Sequence, residues 1–510
     1  LPDATKWDHT KWSPNYRNDN RIETHESGTA PCKTACPAHV AVQGYLKLAA
    51  QGRYDEALAL IKRENPLPAI CGRVCNRRCE DACTRGRVDA AVAIDEVKKF
   101  IAQRDLDAAT RYVPPAVTPT RAGGFDQKIA IIGAGPAGLS CAFYLAEKGY
   151  KPVVFEKNER PGGMLTYGIP SFKLQKDVIE AEVEVIRLMG AEFRYGVEVG
   201  RDVTLDELRA QGFKAFYVAI GCQGGRLAGI PGEDAEDVTV AVDFLREVNS
   251  GKIDALPGRT IVVGGGNVAI DVARNACRLG SEHVEMFCLE SETQMPASEE
   301  ERREAVEDGA HISCGWGPKE VHLDEAGRVC GITFKRCTRA YDDEGRFAPE
   351  YDENDLRRVD ADRVVMSIGQ SIVWGDLLAG SKVELGRGQG ALADPQTYQT
   401  AEPDIFVGGD VYTGPSFAID AIAAGHEAAV SIHRFVQPGS TLTIGRNQRR
   451  YTALDRDDVV IESYDNASRE VAHVDRERPE CSTMVKYEQK LPSLGKYALK
   501  RAIKIKFGRK

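Results

Sequence analysis

Long apolar runs and an excess of positive charge are both missing from this 510-residue chain. No segment approaches the ~18–20 consecutive apolar residues of a membrane-spanning helix, and the start shows no signal-peptide core. Lys and Arg number 67 against 76 Asp and Glu, and the formal charge of −9 argues against a nucleic-acid surface. We therefore expect a cytoplasmic protein with no membrane span and no nucleic-acid partner.

Cysteine pairs of the C-x2-C kind are also absent, although the chain contains 14 cysteines. A disulfide reductase needs a redox dithiol, usually C-x2-C or C-x4-C, whereas Cys141 and Cys222 each stand alone. The chain is also far longer than a small disulfide-linked scaffold. These absences disfavour both disulfide chemistry and a disulfide framework.

The cysteines that are present concentrate near one end of the chain. Six of them occur early: Cys32, Cys36, Cys71, Cys75, Cys79 and Cys83. Thiolates are the soft ligands that iron–sulfur clusters require, and four complete one cubane. Zinc is the main alternative, but zinc sites more often use C-x2-C pairs or a histidine, and His39 is the only histidine nearby. The spacing favours an iron–sulfur cluster.

The pattern along the chain changes after this segment. Residues 40–65 and 89–106 have apolar residues at helical spacing, which predicts a small helical domain around the cysteines. Residues 108–125 are rich in Pro and Gly and predict a linker. Strands, glycine turns and helices then alternate, which predicts an α/β fold with parallel sheets and two Rossmann-like domains.

The first Rossmann-like unit carries a complete dinucleotide fingerprint. Gly133, Gly135 and Gly138 fit G-x-G-x-x-G directly after a predicted strand, Lys128–Ile132. The first glycine permits a tight turn, the second lets the backbone approach a pyrophosphate, and the third lets helix and strand pack closely. Glu156 ends the next strand, where an acid can bind ribose hydroxyls. The segment predicts a dinucleotide site.

The second fingerprint consists of Gly264, Gly266 and Ala269. NADP sites usually place arginine after the companion strand, where it pairs with the 2′-phosphate. This chain has Leu289 and Glu290 there. Because a carboxylate repels that phosphate but accepts hydrogen bonds from a ribose diol, we predict NAD(H), with Glu290 as the discriminating residue. The alternative is an ordinary exposed glutamate.

Six motifs, in this order, resemble one family of redox proteins. They are residues 31–37, 68–75, 168–174, 264–271, 295–297 and 408–415. The family is that of the small subunit of bacterial glutamate synthase. Its relatives are the large subunit of NADH-dependent ferredoxin:NADP oxidoreductase and the N-terminal part of dihydropyrimidine dehydrogenase. The resemblance covers about residues 30–435 and implies an NAD(P)H domain inserted within an FAD domain, behind a helical iron–sulfur domain.

The resemblance also implies domain limits and cofactor contacts. The limits are 1–107 for the helical iron–sulfur domain with an N-terminal arm, 108–125 for the linker, 126–230 and 370–437 for the FAD domain, 231–369 for the NAD(H) domain, and 438–510 for a C-terminal extension with a basic tail. The expected cofactor-binding residues are Gly133, Gly135, Pro136, Ala137, Gly138, Glu156, Lys157, Gly162, Gly163, Leu165, Gly264, Gly266, Asn267, Val268, Glu290, Gly369, Gly409 and Asp410. Asp410 would meet the ribityl–pyrophosphate region of FAD, unless Gly409 and Asp410 form only a loop turn.

The cysteine segment departs from the two-cluster members of the family. Those relatives have a further cysteine pair before the position of Cys32, whereas residues 1–31 contain no cysteine. Some relatives supply a carboxylate or amide ligand where this chain has Lys98. We therefore expect one [4Fe-4S] cluster, with two as the alternative. The most secure ligands are Cys36, Cys75 and Cys79, and the fourth is Cys71, Cys32 or Cys83.

The order of sites predicts a flavin-dependent electron-transfer subunit that works between NAD(H), FAD and the cluster. Its expected partners are other iron–sulfur or flavin subunits of a redox complex, and electron bifurcation is compatible with this order. No side chain is expected to act as an acid–base catalyst. The alternatives are a non-catalytic cofactor-holding scaffold and an NADPH-dependent glutamate synthase small subunit. Residues 486–510 hold nine Lys or Arg and one acid, which predicts either a solvated tail or a docking segment.

Overall fold

The computed structural model describes residues 30–87, 89–116, 124–437 and 439–443. The predicted N-terminal arm, the middle of the linker and most of the C-terminal extension, including the basic tail, lie outside these described residues. Within them, every helix is too short or too polar to cross a membrane.

The region before the first strand is helical and contains all six clustered cysteines. Its α-helices are α1 Pro31–Ala35, α2 Val42–Ala50, α3 Tyr54–Lys62, α4 Pro68–Val74, α5 Arg78–Asp81 and α6 Ile94–Ala102, with 3-10 turns at Thr84–Arg87 and Gln103–Asp105. Proline stands in the first turn of α1 and α4, where the missing N–H is no loss. Residues 40–65 form two helices rather than one because the chain turns at Gly52.

Fifteen strands occur in the described residues. They are β1 Lys128–Ile132, β2 Val153–Glu156, β3 Glu192–Tyr195, β4 Phe213–Val218, β5 Gly224–Gly225, β6 Val238–Val240, β7 Arg259–Val263, β8 His283–Cys288, β9 His311–Cys314, β10 Trp316–Leu323, β11 Val329–Tyr341, β12 Phe347–Val359, β13 Arg363–Met366, β14 Gln370–Ser371 and β15 Ile405–Val407.

The helices that follow the first strand cover the sheets. They are α7 Pro136–Glu147, α8 Met164–Tyr167, α9 Lys176–Leu188, α10 Leu205–Ala210, α11 Ala241–Asn249, α12 Asn267–Arg278, α13 Glu299–Asp308, α14 Asp410–Thr413 and α15 Ala418–Val436, with a 3-10 turn at Arg387–Gln389. Helices α7 and α15 pack against each other beside the first sheet.

Two five-stranded parallel sheets organise the rest of the chain. The first has the order β15-β4-β1-β2-β3 and the second the order β6-β13-β7-β8-β9. Strands β1 and β7 are buried after their first residue and end in apolar runs, as expected for sheets covered on both faces. An antiparallel sheet, β10-β11-β12, follows β9 directly.

The second sheet is inserted within the first. Strand β15 pairs with β4, and the whole second sheet lies between them in sequence. The short ribbon of β5 and β14 pairs the segment that leaves the first sheet with the segment that returns to it. The predicted fold class is confirmed: two Rossmann-like α/β domains, one inserted in the other, follow a small helical domain. The exact domain limits stay a prediction.

Candidate functional site

A cleft opens at the carboxyl ends of β1, β4 and β15. Parallel sheets bind ligands at this edge, where the loops after the strands meet. Nine residues expected to contact a cofactor line it together: Gly133, Gly135, Pro136, Ala137, Glu156, Gly163, Leu165, Gly409 and Asp410. Segments far apart in the sequence therefore form one cleft.

The three fingerprint glycines have distinct surroundings. Gly133 has a φ of 103°, and a Cβ there would lie 2.4 Å from the carbonyl oxygen of Ala219. A Cβ on Gly138 would lie 2.0 Å from the carbonyl oxygen of Gly133, so α7 packs directly on the turn. A Cβ on Gly135 would have no neighbour within 4 Å, which leaves space for a ligand at the start of α7. This geometry fits a pyrophosphate at the helix N-terminus.

The side chain of Glu156 is hydrogen-bonded to the fingerprint turn. Its side chain is buried, and Oε2 accepts a hydrogen bond of 2.9 Å from the backbone N–H of Ala134. Oε1 accepts bonds from the backbone and the side chain of Asn158, at 2.9 and 2.6 Å. Lys157 is exposed next to it. Gly162 donates its N–H to Ala134, so the loop after β2 closes on the turn.

Asp410 forms the opposite wall of the cleft. It begins α14, and its Oδ1 accepts hydrogen bonds of 3.1 Å from both the backbone and the hydroxyl of Ser416. Burial raises the pKa of Asp410, which these bonds partly oppose. Gly409 lies against Ala137 of α7. Gly409 and Asp410 therefore line the cleft, and their contact with a cofactor stays a prediction.

Several lining residues were not expected from the sequence. The segment after β4 contributes Ile220, Gly221 and Gln223, and the start of α15 contributes Phe417 and Ala421. The signal that could have identified the first group is the strand order, because β4 lies directly beside β1. That order depends on long-range pairing, which local sequence patterns do not contain.

The second fingerprint has the same construction in the inserted domain. Gly266 precedes α12, and a Cβ there would have no neighbour within 4 Å. Asn267 accepts a hydrogen bond of 3.1 Å from the N–H of Ser298, and Ala297 donates its N–H to Gly265. The segment before α13 therefore folds against the fingerprint turn. Three other residues were expected to contact the cofactor. Gly264 lies in the fingerprint turn, Val268 lies near the start of α12, and Gly369 follows β13.

Glu290 lies beside this turn and is buried. Its Oε2 would be 3.0 Å from a Cβ on Gly265, and its Oε1 accepts a hydrogen bond of 3.3 Å from the hydroxyl of Tyr341. Leu289 lies against Gly317 and therefore packs against strand β10 of the antiparallel sheet. An ordinary exposed glutamate, the alternative, does not match this burial.

Two cysteines approach each other next to Glu290. Cys288 and Cys314 are register partners at the ends of β8 and β9, and their Sγ atoms are 3.6 Å apart. Cys288 is the structural counterpart of Glu156. In the first sheet, Phe155 pairs with Ile132, the last residue before the fingerprint turn, and Glu156 follows Phe155. In the second sheet, Phe287 pairs with Val263 in the same way, and Cys288 follows Phe287.

All six clustered cysteines pack in or against one hydrophobic core. Burial raises the pKa of Cys32 to about 11, and the neighbouring thiol of Cys83 adds to this rise. Burial also raises the pKa of Cys71, Cys75 and Cys79, and the strongest opposing influence on each is Lys98.

The thiol of Cys36 adds to the rise in pKa of both Cys32 and Cys75. In the described residues, no three His, Cys, Asp or Glu side chains converge on a single metal ion. Buried cysteine sulfur is nevertheless the kind of donor that iron–sulfur clusters use.

Comparison with known proteins matches both parts of this architecture. Residues 127–425 match the family described as "Pyridine nucleotide-disulphide oxidoreductase", and residues 23–110 match "Dihydropyrimidine dehydrogenase domain II, 4Fe-4S cluster". The structure is also similar to "Mycobacterium tuberculosis FprA in complex with NADPH", with a TM-score of 0.53, 20% identity, and coverage of 61% of this chain and 84% of that one. At that identity the likeness concerns the fold.

Three curated proteins show the extent of the sequence similarity. "NADP(+)-dependent formate dehydrogenase subunit beta" of Moorella thermoacetica is 36% identical over 81% of this chain and 61% of its own length. "Glutamate synthase [NADPH] small chain" of Escherichia coli is 35% identical over 80% and 89%. "NAD-dependent dihydropyrimidine dehydrogenase subunit PreT" of Escherichia coli O157:H7 is 32% identical over 80% and 91%. The chain thus spans less than two thirds of the first relative and most of the other two.

Proposed function

Because the chain belongs to the pyridine nucleotide-disulphide oxidoreductase family, together with the glutamate synthase small chains, we propose that it carries electrons between NAD(H) and a partner protein through FAD and one [4Fe-4S] cluster. It is an oxidoreductase with an FAD- and NAD(P)-binding fold and a 4Fe-4S domain. The observation that carries the proposal is the combination, in one chain, of two fingerprint turns with a buried six-cysteine domain.

The residues of the chain would hold and orient the cofactors. Bound FAD and cluster would supply hydride acceptance and one-electron transfer. The start of α7 and Gly135 would take the pyrophosphate of FAD, and Glu156 would fix the turn that presents them. Asp410 would stand at the opposite side, near the ribityl chain. No acid–base catalyst is needed.

The preference for NAD(H) rests on Glu290. The buried carboxylate beside Gly265 would face the ribose of a dinucleotide on the second fingerprint, where a 2′-phosphate would meet like charge. Leu289, packed against Gly317, offers no cation to that phosphate. The relatives named above include both NADP- and NAD-dependent proteins, so their names do not decide between the two nucleotides.

One cluster is proposed on Cys36, Cys75 and Cys79, with Cys71, Cys32 or Cys83 as the fourth ligand. All six cysteines pack in or against one hydrophobic core, which supports a shared site. Two clusters are the alternative. Relatives named as a beta subunit and a small chain support a partner subunit, iron–sulfur or flavin protein, in a redox complex. The cytoplasmic location stays a prediction.

An anaerobic titration with NADH and with NADPH tests the proposal. Flavin, iron and sulfide are quantified first, and the absorbance of the flavin and the EPR spectrum are then followed. We expect NADH to bleach the flavin stoichiometrically, NADPH to act more weakly, and about four irons per flavin. The Glu290→Arg variant should shift the preference toward NADPH.

Three results would contradict parts of the proposal. Failure of NADH to bleach a flavin that a one-electron reductant does reduce would favour a non-catalytic scaffold. A preference of the native chain for NADPH would overturn the role of Glu290. About eight irons per flavin would replace one cluster with two.

A further inference from the structure

One segment of the first domain contacts both the cleft and the inserted domain. Residues 164–174 follow the loop after β2, and Leu165 and Ile169 line the cleft at the edge of the first sheet. Further along the segment, Phe172 and Lys173 lie against α12, the helix that begins at the second fingerprint. The segment therefore connects the wall of the first cleft with the helix that opens the second site.

Lys173 forms two ion pairs with the inserted domain. Its Nζ contacts Oδ1 of Asp271, on α12, and Oε2 of Glu301, on α13. The three side chains are between 13% and 24% exposed, so solvent screens their charges less than it screens charges on the open surface. Moving the inserted domain away would leave Lys173 without either carboxylate, and a largely buried charge without a partner is costly. The two ion pairs therefore hold the segment to both helices.

Phe172 adds an aromatic contact with the same helix. The guanidinium carbons of Arg278 and Arg274 are 4.1 and 4.8 Å from the centroid of its ring. Cations at such distances are attracted to the face of an aromatic ring. Asp271, Arg274 and Arg278 follow one another at intervals of three and four residues, which places them on one side of α12. That side of the helix is the one that contacts the segment.

Helix α11 supplies a third contact. Nδ2 of Asn249 donates hydrogen bonds of 3.2 and 3.3 Å to the carbonyl oxygens of Tyr167 and Gly168. The hydroxyl of Ser171 donates a hydrogen bond of 3.5 Å to Oδ1 of Asn249. Three helices of the inserted domain thus bind one short segment of the first domain. Such contacts oppose the relative motion that is otherwise expected between two domains of one chain.

We propose that Lys173 is a positioning residue, which fixes the start of α12 at the distance and angle from the first cleft that hydride transfer requires. The inference rests on the proposed function, in which the hydride leaves NADH with both electrons and bonds to FAD, so that NADH becomes NAD⁺ and FAD is reduced. Asp271 lies four residues after Asn267, the first residue of α12, and hence about one turn from the second fingerprint. Because transfer needs the reacting atoms about 3–3.5 Å apart, a small displacement of α12 slows it strongly.

The rate of hydride transfer and the mobility of the domains test this in parallel. Native full-length protein with FAD is compared with Lys173→Met and Asp271→Asn, which weaken the contact from either side. Stopped-flow reduction of the flavin by NADH should be about ten- to hundredfold slower in both variants, while the Kd of NAD⁺ from calorimetry should stay within about twofold of native. Hydrogen–deuterium exchange without nucleotide should increase in α11, α12 and residues 164–174.

Lys319→Met is the matched control, because it removes a more exposed ion pair, with Glu353, on the antiparallel sheet. It should leave both the rate and the exchange unchanged. Phe172→Leu removes the aromatic contact but keeps the ion pairs, so it provides a second perturbation if Lys173→Met does not fold. It should slow the reduction in the same direction and by a smaller factor.

The outcomes separate this proposal from the proposed function. The double variant Lys173→Met/Asp271→Asn should be no slower than Lys173→Met alone, since both changes remove one contact. A native rate or unchanged exchange in Lys173→Met, or fully multiplicative effects in the double variant, would overturn the role of Lys173 while the proposed function stands. Native protein whose flavin NADH does not reduce would instead overturn the proposed function, and the positioning role with it.

Discussion

Arg78 donates two hydrogen bonds, of 2.9 and 3.2 Å, to the two carboxylate oxygens of Asp420. Arg78 immediately precedes Cys79, and Asp420 lies in the first turn of α15, which borders the first cleft. The guanidinium carbon of Arg78 is also 5.6 Å from the ring centroid of Phe417, a residue of the cleft wall. The cysteine segment is thus attached to the wall of the proposed flavin site.

Breaking this attachment should slow electron transfer between the two cofactors. In Asp420→Asn, NADH should still bleach the flavin at the native rate, whereas reduction of the cluster should become several-fold slower, because the Arg78 pair is a bidentate contact. Stopped-flow absorbance and freeze-quench EPR measure the two rates. Glu56→Gln, which removes the exposed Arg53–Glu56 pair, is the control. Equal rates in Asp420→Asn and native protein would show that the contact is not needed.

Gly135 and Gly138 should respond differently to alanine. A methyl group on Gly135 meets no atom within 4 Å, so Gly135→Ala should fold normally but lose most of its FAD, because the methyl enters the space for the pyrophosphate. Gly138→Ala places a methyl 2.0 Å from the carbonyl of Gly133 and should cost about 1–3 kcal/mol of stability. Flavin content and thermal unfolding distinguish the two. Normal FAD content in Gly135→Ala would argue against this site.

Tyr341 should help Glu290 to select the nucleotide. Its hydroxyl donates to Oε1 of Glu290 at 3.3 Å, and Tyr341→Phe removes that bond. If this hydrogen bond contributes about 0.5–1.5 kcal/mol to the binding of NADH, its loss would raise the KM for NADH roughly two- to tenfold, with little change in kcat. Tyr351→Phe, on the neighbouring strand β12, is the matched control. An unchanged KM in Tyr341→Phe would mean that Glu290 keeps its position unaided.

The stability of the protein should depend on the pH through Glu182. This residue of α9 is fully buried and accepts the N–H groups of Ala69 and Ile70 at the start of α4. Burial, and then the charge of Asp105, raise the pKa of Glu182 to about 8, from 4.5. A raised carboxyl pKa means that the native state binds the proton more tightly than the unfolded state. Its contribution to stability is therefore complete below about 4.5 and lost as the pH rises through about 8.

Urea unfolding between pH 5 and 8.5 checks this expectation. The native chain should lose stability across that range, and Glu182→Gln, which keeps a carbonyl acceptor for α4, should lose less. Glu184→Gln, on the same helix but partly exposed, should follow the native curve. Parallel curves for native protein and Glu182→Gln would exclude a titration of Glu182.

Local sequence determined much of this structure. Gly133, Gly135 and Gly138 could be assigned because the turn, the strand before it and the helix after it are contiguous. The burial of Lys98 could not be predicted, because the sequence of α6 has the pattern of an amphipathic helix, and lysines on such a helix normally face solvent. Nor could the pairing of Arg78 with Asp420, which joins segments far apart in the chain. Interactions that depend on strand order or on domain packing have no local pattern.

The insertion of one sheet into the other has a consequence for biosynthesis. Strand β15 completes the first sheet by pairing with β4, with Ile405 opposite Phe216, so the pairing must wait until the inserted domain has left the ribosome. Contacts so distant in sequence close slowly. Because Asp410 follows β15, the segment that forms the second wall of the first cleft is synthesised only after the whole inserted domain.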